Sequence, residues 1–133
     1  PAPATTQTST TPGRTSQGAR EPGRGDRPEQ RAVEAVRRCV AQHGYRATGG
    51  VRRPGTPNAP SYEILVAGPR GSAFIAFYDS LARAKRYEAR LRRNARRFKN
   101  ASVERQGTIT TVWVKLTDTT ARARIRDCVR QET

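Results

Sequence analysis

Apolar residues recur at helical spacing in PEQRAVEAVRRCVAQH (28–43), where Val33, Val36 and Val40 form one stripe with Cys39 on its flank. That spacing predicts a first helix. Pro28 suits a first helical position, Glu29 favours the positive end of the helix dipole, and Gly44 supplies the stop. A short strand at 45–47 and a Gly/Pro-rich loop, 48–60, are expected next. SYEILVA (61–67) and SAFIAFY (72–78), separated by GPRG, then predict a hairpin. Both strands are apolar on both alternations, Ile64 and Val66 against Leu65, and Phe74 and Ala76 against Ile75 and Phe77. Strands of that kind belong in the middle of a sheet.

Asp79 or Ser80 caps a second helix, 80–98. On its wheel, Leu81, Ala84, Tyr87, Leu91, Ala95 and Phe98 make an apolar stripe wide enough to pack on a sheet. A second hairpin follows, ASVERQ (101–106) turning at Gln106–Gly107 into TITTVWVKL (108–116). The last helix, about 118–131, starts at Thr117 or Asp118 and buries Ala121, Ile125, Cys128 and Val129. The order α-ββ-α-ββ-α predicts an α+β domain over 28–133. Its antiparallel sheet has four strands, five if 45–47 joins, and its three helices lie mainly on one face. VRRCVAQ (36–42) and IRDCVRQ (125–131) share the frame (V/I)RxCVxQ, which is compatible with an internal duplication.

Residues 1–27 have alanine as their only apolar type apart from proline, and Pro, Thr, Ser and Gly dominate. Such a segment cannot bury enough surface to offset its ordering entropy, so a flexible tether is expected. It has no apolar h-region, and no run in the chain is long and apolar enough to span a membrane. The sequence contains no methionine, and the expectation is that a signal peptide or membrane anchor precedes Pro1.

The formal net charge of +15 raises nucleic acid, an anionic membrane surface or another polyanion as partners. Of the 26 basic residues 23 are arginine, a bias that a GC-rich genome also produces, so their location carries more than their number. Residues 79–100 hold nine bases against two acids. Arg83, Lys85, Arg86, Arg90, Arg92, Arg93, Arg96, Arg97 and Lys99 all avoid the apolar stripe, and Glu88 is placed to pair with Arg92. Two readings follow: a plain solvated helix face, or a face that contacts a polyanion. The like-charged i,i+4 pairs Arg86–Arg90, Arg92–Arg96 and Arg93–Arg97 are what a plain face leaves unexplained. A second nucleic-acid route is the sheet face on which Thr111, Trp113 and Lys115 would align, with Tyr62, although no RNP signature is present.

Cys39 and Cys128 lie on the apolar sides of the terminal helices, and a disulfide between them would close nearly the whole domain. Two buried free thiols are the other structural reading. Cys39 and His43 stand at i, i+4, the spacing of a ligand pair or a nucleophile and base, which makes them weak metal or thiol candidates. Against that, His43 is the only histidine and precedes a helix stop, where it meets the carbonyl end of the dipole. There is no GxSxG, P-loop, CxxC or HExxH motif, and Asp79 and Glu88 are too far apart along one helix for a catalytic carboxylate pair. Neither a catalytic residue, a cofactor nor a small-molecule substrate is expected.

CVAQHGY (39–45), FYDSLARA (77–84), QGTITTVW (106–113) and CV (128–129) together resemble small extracytoplasmic, paired-cysteine domains of high-GC Gram-positive bacteria. The resemblance implies export and a Cys39–Cys128 scaffold, and brings no activity with it. The expected role is a non-enzymatic, secreted or membrane-tethered accessory or binding domain. The alternative is a binder of anionic polymer (nucleic acid, wall polymer or anionic membrane) through helix 80–98.

Overall fold

A computed structural model describes residues 28–50 and 60–133. The expected tether, 1–27, and most of the 48–60 loop lie outside the described residues. The elements run α1 (Pro28–Gln42), β1 (Arg46–Gly49), β2 (Tyr62–Gly68), β3 (Gly71–Phe77), α2 (Leu81–Ala95), β4 (Ala101–Gln106), β5 (Ile109–Val114) and α3 (Thr119–Arg130). The fold is α+β, with one antiparallel sheet of five strands ordered β1-β2-β3-β5-β4. The two doubly apolar strands, β2 and β3, lie inside the sheet and not at its edges, as the pattern predicts.

Register is fixed by two short turns. Gly68 pairs with Gly71 and Gln106 with Ile109, leaving Pro69–Arg70 and Gly107–Thr108 as two-residue connections. Gly107 supplies the positive φ (59°) that such a turn needs. GPRG is therefore a hairpin turn. Its Gly71 has a second constraint, because a Cβ there would lie 2.6 Å from the Lys115 carbonyl carbon. The chain leaving β5 packs directly against it.

α1 and α3 share one face. Val33, Val36 and Val40 of α1 and Ala121, Ile125 and Val129 of α3 bury against Tyr62, Ile64, Val66, Ala73, Ile75, Phe77, Ile109 and Trp113. Cys39 and Cys128 are bonded to each other, with Cα atoms 5.6 Å apart, a separation ordinary for a disulfide. The shared (V/I)RxCVxQ frame has a packing explanation. In each helix the residues three before and one after the cysteine are buried, so the two helices flank the bridge in the same way.

α2 lies on the opposite face, over β4 and β5. Its buried anchor is Ala84, with Tyr78 and Ala76 beneath and the Tyr87 ring tilted against Tyr78 at 5.5 Å. Asp118 caps α3 by accepting from Thr120 N and Ala121 N.

Candidate functional site

α2 begins where Ser80, extended, accepts a hydrogen bond from Arg83 N. Ala84 is buried and Tyr87, Leu91 and Ala95 are half-buried, so most of the apolar stripe faces the sheet as expected. Phe98 does not belong to it. The helix closes at Ala95, and Asn100 takes a left-handed conformation (φ 63°) to turn the chain into β4, leaving Phe98 66% exposed.

The acids near the helix are already engaged. Asp79 pairs with Arg83 at 3.0 Å. Glu88 accepts from Arg92 at 2.8 Å through one oxygen and from Arg105 of β4 at 2.7 Å through the other, which ties α2 to the sheet edge. Lys85, Arg86, Arg90, Arg93, Arg96, Arg97 and Lys99 are exposed, and none has a carboxylate within ion-pair distance among the described residues. Arg92 and Arg93 lie in the last turn, where the dipole favours cations. That effect fades within a turn and does not reach Lys85, Arg86 or Arg90.

Two carboxyls on the β4 side titrate below the usual glutamate range. Burial raises Glu88, but hydrogen bonds and charge from Arg92 and Arg105 outweigh it. Burial likewise raises Glu104, and hydrogen bonds from Arg126 and Trp113 outweigh it. A depressed folded-state pKa means that the unfolded chain binds more protons as the pH drops. The associated stability is therefore complete above the ordinary carboxyl value of about 4.3 and is lost as the pH falls through the folded-state values. Urea midpoints should hold steady at higher pH and decline below about pH 4. E88Q/E104Q should start lower and decline less steeply. A parallel decline would show that these two groups do not carry the acid sensitivity.

Beside α2 the same face opens into a groove of about 430 Å³. Phe74, Val112 and Val114 of the sheet line it, with Leu91, Ala95 and Phe98 on the α2 side. Lys99 and Lys115 stand at its edge and are both exposed. Lys115 has left-handed backbone (φ 60°), and its N–H donates to Asn100 O at 2.9 Å, which fixes the two lysine-bearing segments together. The sequence reading missed this groove. The available signal was Phe74, Val112 and Val114 on one alternation, with a single helix left to cover them.

The stacking route is closed by packing. Tyr62, Thr111 and Trp113 do share a face, but it is the one beneath α1 and α3, and Trp113 is 1% exposed. Arg122 and Arg126 lie over the indole at 5.2 and 5.8 Å. Lys115 lines the groove on the other face instead, because its left-handed turn breaks the alternation.

Cys39, His43 and Cys128 are brought together, their donor atoms within 4.8 Å of one another. With both sulfurs in the disulfide, neither cysteine offers a thiolate as ligand or nucleophile. No family model matches the chain, and no curated protein or solved structure matches it either.

Proposed function

We propose that the domain is an extracytoplasmic, non-catalytic binding module that holds a polyanionic partner through the basic face of α2. The observation that carries this reading is the row of seven exposed cations on and just beyond that helix without acidic partners among the described residues, while Glu88 and Asp79 are spent on Arg92, Arg105 and Arg83. Like charges at i,i+4 are unfavourable in an isolated helix, and phosphate or sulfate groups would relieve them. The extracytoplasmic placement is supported by the Cys39–Cys128 bond, since structural disulfides persist in oxidising compartments.

The test is retention on heparin against a salt gradient. Arg90 and Arg93 on α2 and Arg97 just past its end are all exposed, so R90E/R93E/R97E alters charge without disturbing the core. Each cation near an anionic surface contributes about a fivefold factor in binding, so the triple variant should bind at least roughly 100-fold more weakly and elute at far lower salt. Unchanged retention would remove the polyanion role and leave a solvated helix face.

A further inference from the structure

We infer that the partner of this face is an anionic phospholipid surface, with a lipid acyl chain entering the groove beside α2 and its phosphate meeting Lys99 and Lys115. The inference rests on the polyanion reading above and narrows it to one partner. Every exposed large apolar side chain among the described residues, Phe74, Leu81 and Phe98, is on α2, just past its end, or on the sheet face that α2 covers. The uncompensated cations occupy the same side. A surface that joins Arg/Lys-rich charge to exposed Phe and Leu is the pattern of interfacial membrane contact.

The groove adds what charge alone does not. Its volume, about 430 Å³, falls in the range of small-molecule sites, and its walls are almost entirely apolar. A sulfated polymer presents nothing apolar to fill such a space, and a nucleobase there would leave its hydrogen-bonding edge without partners, whereas an acyl chain needs none. The cationic groups are at the rim, where a headgroup phosphate would lie: Lys99 and Lys115, held together by the Lys115–Asn100 backbone bond. α2 is about 22 Å long, so its exposed row of arginines would lie along the same phosphate plane.

The chain's own sequence and a second copy are both poorer occupants. Residues 1–27 and 51–59 contain no large apolar side chain except Val51. A second copy would bring another net charge of +15 against the same basic face. No helix among the described residues is long and apolar enough to cross a membrane.

Phe98 is the residue to change, since its exposure means that F98A leaves the fold intact. The full chain is sedimented with vesicles of phosphatidylglycerol and phosphatidylcholine, with phosphatidylcholine alone, and compared on heparin. The wild type should bind the anionic vesicles and retain part of that binding at about 1 M salt, where charge is screened within ~3 Å. F98A should bind those vesicles roughly tenfold to thirtyfold more weakly while its heparin retention is unchanged. F98W gives a second readout: its fluorescence should shift to the blue on anionic vesicles, against the constant background of buried Trp113. Equal vesicle binding by F98A and wild type, with no shift in F98W, would overturn the lipid partner while leaving heparin binding in place. So would complete loss of vesicle binding at high salt, or saturable binding of an acidic peptide in place of lipid. Loss of the polyanion reading itself would show separately, as heparin retention unaffected by R90E/R93E/R97E.

Discussion

Reduction of Cys39–Cys128, or its replacement in C39A/C128A, is expected to lower the unfolding free energy by about 4–5 kcal/mol. The bridge spans 89 residues and closes a loop that contains nearly the whole domain. In the chain-entropy treatment a loop of that length is among the more effective to close. The native side of the comparison is also favourable. Both cysteines sit on helices that pack side by side, and Val36, Val40, Ile125 and Val129 around them are buried in apolar packing of their own. Losing the bond should thus free the unfolded chain more than it disturbs the folded one.

The effect is large against a typical total of 5–15 kcal/mol for a domain. Urea unfolding followed by circular dichroism, with and without reductant, measures it directly. A midpoint that does not move on reduction, with the thiols shown to be free, would mean that helix packing alone holds the ends together. A domain that becomes marginal without its bridge would depend on an oxidising compartment, which links this measurement to the proposed location.

Elements were legible in the sequence where one local signal decided them, and less so where a tertiary contact did. The valine stripe of α1, the two hairpins and the Asp118 cap of α3 are each set within a few residues. The doubly apolar strands announced the middle of a sheet, yet nothing in the pattern of α2 says which face it takes. Its end was misjudged for a similar reason. The wheel continues smoothly through Phe98, and it is the need to start β4 at Ala101, met by Asn100 in a left-handed turn, that stops the helix at Ala95. Lys115 is the same lesson in a strand. Alternation places it on the face of Trp113, but its positive φ, where the chain leaving β5 packs against Gly71, sends it to the groove. The basic face and its scarcity of local acids were visible throughout; whether acids from other elements would pair with it was not, and Glu88 itself is shared with Arg105 from a distant strand.

W113A is expected to cost about 3–5 kcal/mol, in the range for deleting a large aromatic side chain from a core. Trp113 is 1% exposed on a central strand, paired in register with Ala73 and Ser102, and covered by α3. Its Nε1–H donates to Glu104 Oε1 at 3.2 Å, while Glu104 Oε2 accepts from Arg126 at 2.7 Å. The indole therefore joins β4, β5 and α3 at once, and its face receives the Arg122 and Arg126 guanidinium groups. W113F separates these contributions. It keeps most of the buried apolar area and removes the donor to Glu104, which still has Arg126, so it should cost only about 1–2 kcal/mol. Circular dichroism must follow both variants, because Trp113 is the only tryptophan in the chain. The same pair distinguishes packing from recognition. The indole lies on the sheet face away from α2, so W113F, once folded, should bind heparin and anionic vesicles like the wild type. A folded W113F that lost either would place the ligand against Trp113 and away from the basic helix.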